Sequence, residues 1–226
     1  MLFDLRSRGR RRTVQAVYLG LAIILGAGLV LFGVGAGNGF GGILNAFTGS
    51  GGGSNQSSVV SQQEKTALKA TQQRPNDPAA WASLVQARWT SATTDGSNYD
   101  SKTGAFTAAG KKELASLTQA YQRYAALTKN PDADTAILAA RAYTKESNYA
   151  GAADAWEDVS AANPNQATAY ECLAFNAYGA TQSRKADLAS AKALTLLPKA
   201  SQTTIKQAFK QAKSSSQTAQ QLAQQC

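Results

Sequence analysis

Hydrophobic positions fall into three regimes along the chain. Residues 14–34 (VQAVYLGLAIILGAGLVLFGV) are almost unbroken apolar sequence, close to the ~20 residues a helix needs to cross a hydrocarbon core. Residues 35–58 give way to glycine, serine and asparagine, including GSGGGSNQSS from Gly49. Beyond Val59 the apolar positions recur at spacings of three and four, and alanine supplies many of them. Few β-branched runs and only five prolines accompany that spacing, which predicts an all-α protein.

Charge gives the first segment its meaning. Arg6, Arg8, Arg10, Arg11 and Arg12 precede it, and no charged residue follows until Glu64. The basic flank orients such a helix with its N-terminus in the cytoplasm and the rest of the chain across the membrane. The expected organisation is a cytoplasmic basic segment (1–13), a transmembrane anchor helix (14–37), a Gly/Ser-rich linker (38–58), a helical domain (59–213) with an insertion at about 93–109, and a disordered Ser/Gln-rich tail (214–226). Cleavage near Gly35-Ala36-Gly37 is the alternative, but a signal peptide's apolar stretch is usually only ~7–15 residues. Gly33 and Gly37, like Ala22 and Gly26, have the small-xxx-small spacing that lets membrane helices approach. A linker of this composition is a flexible coil, spanning roughly 5–6 Å times the square root of its length.

Within the helical region Pro131, Pro164 and Pro198 are spaced by 33 and 34 residues, and proline cannot continue a helix. Before Pro164 stand Ala139, Ala140, Tyr143, Ala152, Trp156 and Val159. A shift of 34 gives Leu173, Ala174, Ala177, Ala186, Ala193 and Pro198. Small residues would let two helices of one unit approach, and large ones would fill the gaps between units. This arrangement resembles the tetratricopeptide (TPR) pattern, W-x2-L-G-x2-Y…A-x3-F…P. The resemblance covers about residues 78–198 and lacks the glycine at the eighth position. It implies a short TPR-like α-solenoid of about three helix-turn-helix units plus flanking helices, and with the apolar segment the expected fold is an N-terminal transmembrane helix followed by that solenoid. The helix pairs are expected at 132–146 with 149–162, and at 167–180 with 184–197. An earlier unit opens at Asn76-Asp77-Pro78 with Trp81 and Leu84, and its second helix covers 110–128. Flanking helices at 59–73 and 201–213 would cover the ends of the stack, the latter with Ile205, Ala208, Phe209 and Ala212 on one face.

Composition narrows the chemistry. Histidine is absent and the two cysteines, Cys172 and Cys226, have no CxxC spacing, so the usual general base and the usual zinc ligands are missing. Asp95, Ser97, Asn98 and Asp100 in the insertion are oxygen donors, but their register does not match a calcium loop. Glu157 and Asp158 are neighbours on a helix and point apart. No catalytic, metal-binding or cofactor-binding constellation emerges, and the expectation is that the chain is not an enzyme. Outside the cytoplasm Cys172 and Cys226 have two open readings: a disulfide, or Cys172 as a small buried residue.

The resemblance also implies a groove lined by the first helix of each unit. Those positions are Gln86 and Trp89, then Ile137, Arg141, Thr144 and Lys145, then Glu171, Phe175 and Tyr178. Aromatic and arginine side chains serve as anchors in peptide-binding surfaces. The net charge of +9 has a second focus between Arg184 and Lys213, with seven basic residues against one acidic, Asp187. Lys206, Lys210 and Lys213 share a helix face suited to anionic lipid or cell-wall polymer. Nucleic acid is not expected on that side of a membrane. The leading expectation is a membrane-anchored extracytoplasmic scaffold binding a protein or peptide, in envelope assembly or secretion. A structural accessory subunit of a membrane complex is the alternative, and a cell-wall enzyme the third.

Overall fold

The structure is a computed structural model that describes residues 54–226, with side chains from residue 59 onward. The basic segment with its five arginines, the anchor helix and most of the linker therefore lie outside the described residues. Among those described, no helix is long and apolar enough to cross a membrane.

The described residues are all-α apart from one small hairpin. Helix α1 (Ser54–Gln73) and α2 (Pro78–Thr94) come first. Strands β1 (Tyr99–Asp100) and β2 (Ala105–Phe106) follow, then α3 (Ala108–Leu127). Next are α4 (Ala133–Lys145), α5 (Tyr149–Ala162), α6 (Ala167–Gly179) and α7 (Ser183–Leu196). Helices α8 (Lys199–Ser214) and α9 (Ser216–Ala223) close the chain. Consecutive helices from α1 to α7 pack pairwise, α2 also rests on α4, and α6 carries both α8 and α9.

Short polar side chains set most helix starts, because the first backbone N–H groups of a helix need acceptors. Asp77 accepts from the Ala79 amide ahead of Pro78 at the first turn of α2. Thr107 accepts from Gly110 for α3, Asp132 from Thr135 for α4, and Asn148 from Gly151 for α5.

The 34-residue period is carried by backbone geometry. Ser147 and Thr181, 34 residues apart, both adopt positive φ, 60° and 61°. Around Ser147, the amides of Glu146, Ser147 and Asn148 donate to the carbonyls of Ala142, Thr144 and Tyr143. Around Thr181, Ala180, Thr181 and Gln182 donate to Asn176, Tyr178 and Ala177. Each bond in one turn is the other's shifted by 34. This is a left-handed helix stop made without glycine, the residue that usually supplies it.

Alanine dominates the contacts between these helices. Ala139, Ala140, Ala152, Ala174, Ala177, Ala186 and Ala193 are fully buried, and small contact residues permit the closer end of the 8–10 Å range of helix separations. Larger side chains fill the remaining space, with Leu84, Val85, Leu114, Leu117 and Val159 essentially unexposed. Asn176 is also fully buried. Its amide donates to the Cys172 carbonyl and its oxygen accepts from the Thr144 hydroxyl, tying α4 to α6.

Three boundaries differ from expectation. Helix α1 begins at Ser54, immediately after the last glycine of the run, since the polar stretch to Ser58 contains no residue that opposes a helix. Only the edges of the insertion are absorbed, Thr93 and Thr94 by α2 and Ala108 and Ala109 by α3, and the residues between form a loop carrying a β-hairpin with Tyr99 opposite Phe106 and their rings 5.1 Å apart. The segment expected to be a disordered tail is instead ordered and carries α9. Ser215 caps it through the Thr218 amide. Ala219 and Ala223 are buried and Leu222 packs against the core, a spacing of three and four that makes one apolar face.

Candidate interaction groove

The groove positions expected from the sequence all lie on α2, α4 and α6, whose shared face is the candidate groove. It is not uniformly available. At the α2 end Gln86 is exposed and Trp89 is half-buried, and on α4 Ile137 is half-buried. At the α6 end the face is filled by the chain's own C-terminal helices.

Helix α9 lies on α6 and reaches α4 through a set of polar contacts. Gln220 donates from Nε2 to the Gly179 carbonyl at 3.2 Å. Gln224 donates to the Thr144 carbonyl at 3.1 Å and to the Tyr149 hydroxyl at 3.3 Å. From below, Arg141 Nε donates to the Cys226 backbone oxygen and Lys145 Nζ to Gln224 Oε1, both at 3.1 Å. Gly179 makes the approach feasible: a Cβ there would stand 3.2 Å from Gln220 Cγ and 3.4 Å from the Tyr149 ring. The assembly is closed by a disulfide between Cys172 and Cys226, with Cα atoms 5.8 Å apart and a sequence separation of 54. Of the two readings left open for these cysteines, the structure adopts the bond, and Cys172 is buried as well.

Three of the expected groove residues are therefore structural. Phe175 is buried with its ring 5.1 Å from that of Phe209 on α8. Tyr178 is buried and donates to Asp187 at 2.7 Å, and burial pushes its phenol up to about 12. Thr144 is buried and donates to the Ala140 carbonyl. The reasons differ: α8 docks on Phe175, Tyr178 is bonded to Asp187 of α7, and Thr144 lies between α4 and α6, where its hydroxyl meets Ala140 and Asn176. Glu171 is half-buried, and desolvation raises its carboxyl above the ordinary range. Arg141 and Lys145 remain exposed. Gln220, Gln224 and Gly179 were not anticipated, although Ala219, Leu222 and Ala223 carry the helical spacing that would have pointed to them.

The lysine face is likewise divided. Lys206 and Lys210 are exposed on α8, whereas Lys213 pairs with Asp187 at 2.8 Å, and this contact with the Tyr178 hydroxyl holds the Asp187 carboxyl below its usual range.

Two polar clusters lie elsewhere. Where α1, α2 and α3 meet, Arg88 Nε is 3.7 Å from Glu64 and 3.8 Å from Glu113, and the Arg88 guanidinium donates to the Ser116 carbonyl. Burial and the Glu64 carboxylate together push Glu113 up to about 7, against the pull of Arg88. A depression of about 310 Å³ is lined by Tyr121, Gln122, Tyr143, Asn148, Asp154 and Asp158. Its carboxylates are already engaged, Asp158 by the Tyr121 hydroxyl at 2.6 Å and Asp154 by Lys185 at 2.7 Å. Among the described residues no group of three acidic, cysteine or histidine side chains is arranged to hold a metal ion.

Compared with known proteins, the sequence matches no family model and no curated protein.

Proposed function

We propose that the chain is a membrane-tethered scaffold that binds a protein or peptide outside the cytoplasm through TPR-like helical repeats. The observation that carries this reading is the seating of α9: the face formed by α2, α4 and α6 accepts an amphipathic helix, its backbone carbonyls at Gly179 and Thr144 taking hydrogen bonds from the Gln220 and Gln224 side chains while Arg141 donates to the Cys226 oxygen. A surface that holds a helix in cis has the shape and polar groups to hold one in trans. The 34-residue recurrence of turn geometry supports the TPR-like assignment. The Cys172–Cys226 bond supports the predicted topology, since disulfides persist in oxidising compartments beyond the cytoplasm.

The test uses the intact chain in cells. A photo-crosslinking residue in place of exposed Gln86 should give a discrete protein adduct, and a reporter enzyme fused after Cys226 should be active only across the membrane. Absence of any adduct from the α2–α4–α6 face, or reporter activity in the cytoplasm, would sink the reading.

A further inference from the structure

We infer that α1 is an acid-closed latch: a proton held between Glu64 and Glu113 ties this helix to α2 and α3, and loss of the proton releases it while α4 to α7 stay folded, whatever partner the groove takes.

The seam that holds α1 is thin. Its inward positions are Val60, Glu64, Ala67 and Thr71, spaced by four, three and four, as one helix face requires. Val60, Ala67 and Thr71 are buried, and Glu64 lies half-buried among them. Ala67 is the one α1 residue in the continuous core, and Leu68 is 38 % exposed. Helices in proteins draw most of their stability from the packing of an apolar face. With so little apolar surface covered, α1 depends on the polar group at the centre of its seam.

That group meets one cation and a second carboxylate. Arg88 Nε on α2 is 3.7 Å from Glu64 and 3.8 Å from Glu113 on α3, beyond hydrogen-bond length. The guanidinium donates instead to the Ser116 carbonyl. Arg88 Nε and Glu113 Oε1 are both buried without a hydrogen-bond partner among the described residues. Every other charged side chain of the three helices is exposed: Lys65 and Lys69 on α1, and Lys111, Lys112 and Arg123 on α3. Two carboxylates therefore share a single guanidinium in a site largely shut off from water. A proton on Glu113 removes one of the negative charges and lets its carboxyl donate to Glu64, joining α1 to α3.

The electrostatics agree with this geometry. Desolvation first, and Glu64 second, push Glu113 up to about 7 against the pull of Arg88. Release of α1 takes Glu64 away and admits water, which returns the carboxyl toward its ordinary 4.5. Docking thus takes up a proton. Its advantage is fully present below about pH 4.5 and is lost as pH rises through about 7.

Hydrogen exchange on the full chain in detergent, corrected for the intrinsic pH dependence of exchange, tests the latch. From pH 5 to pH 8 the protection of amides between Glu64 and Ala70 should fall at least tenfold, the linkage limit being roughly seventyfold. Amides of α4 to α7 should keep theirs. Glu113→Gln keeps a donor toward Glu64 at every pH and should leave α1 protected at both values. Glu64→Gln removes one of the two carboxylates and should do the same; it decides the matter alone if Glu113→Gln fails to fold. Equal α1 protection at pH 5 and pH 8 in the unsubstituted chain would overturn the proposal. So would a pH response that survives substitution, or opening of α4 to α7 together with α1.

Discussion

The two ends of the face formed by α2, α4 and α6 obey one register rule and have opposite fates. At the α2 end the repeat is interrupted: 55 residues separate Asp77 from Asp132, the caps of successive first helices, against 34 between Asp132 and the corresponding Gln166. Its interior holds a charged cluster, Glu64, Arg88 and Glu113, and its face keeps Gln86 in solvent. At the α6 end the repeat is regular to the individual backbone bond, the interior is alanine-rich, and the face is covered. What separates the ends is the chain that follows α7. Register decides which side chains point at a groove, and the packing of later segments decides whether they are free to bind.

The largest expected effect attacks the covered end. A disulfide that bridges a separation of 54 residues restricts the unfolded chain by about 4 kcal/mol on the loop-entropy relation. Cys172→Ser should therefore lower the urea midpoint of the oxidised protein substantially and leave that of the reduced protein nearly unchanged. Equal sensitivity in both states would show that Cys172 matters as core, not as a staple. At the interrupted end the corresponding blow is Leu117→Ala. Leu117 is completely unexposed, and its truncation should cost about 3 kcal/mol through lost burial and a residual cavity. If the interruption left that end loosely packed, urea denaturation would show a loss well under 1 kcal/mol instead.

These ends also differ in how far the sequence disclosed them. Pro131, Pro164 and Pro198 were sufficient to locate α4 to α7, because a helix stop is a local property of the backbone. The positions facing each neighbour followed from the same period, which is why Ala139, Ala174 and Val159 are buried as their pattern implied. Covering of Phe175 was not legible, since it depends on α8 returning to α6 and bringing Phe209 against it. The tail misled for a related reason. Ser and Gln are weak signals individually, and Ala219-x2-Leu222-Ala223 is too short to outweigh them until it has a surface to dock on. The breaks at Ser147 and Thr181 followed from the period, but their left-handed backbone, made without glycine, did not.

The insertion offers a sharper test of the interrupted end. Gly110 sits in the first turn of α3, where a Cβ would lie 2.1 Å from the Asn98 carbonyl oxygen. That neighbour is backbone, held by the Thr107 amide donating to the same oxygen and by the Asn98 side chain donating to Ser91. Gly110→Ala should therefore destabilise by about 2 kcal/mol, in the range of overpacked sites, read by thermal denaturation. Hydrogen exchange should place the damage in the hairpin and the start of α3, with α4 to α7 untouched. A neutral result would mean that the hairpin swings aside freely and is not anchored to the repeat.

The smallest effect concerns the charged cluster and changes sign of advantage with pH. Glu113 has its carboxyl raised from an ordinary 4.5 to about 7, first by desolvation and then by Glu64, with Arg88 opposing. The folded state therefore holds a proton on this group that the unfolded chain releases near 4.5. Its contribution is fully present below pH 4.5 and is lost as pH rises through about 7. Glu113→Gln removes the titration while keeping the shape. Burial also raises Asp158, Glu146 and Glu171, so the wild-type curve alone cannot isolate one group; the quantity to follow is the Tm of Glu113→Gln minus that of wild type. This difference should become more favourable to the variant between pH 5 and pH 8, by a few degrees at most, because Glu113 is only partly buried and Arg88 compensates it. The alanine-rich end supplies the control: Asp187, held low by Lys213 and Tyr178, is ionised throughout that window, so Asp187→Asn should shift Tm by the same amount at both pH values. A difference for Glu113→Gln as flat as that one would place the glutamate's proton equilibrium outside the window, and with it the electrostatic contrast between the two ends.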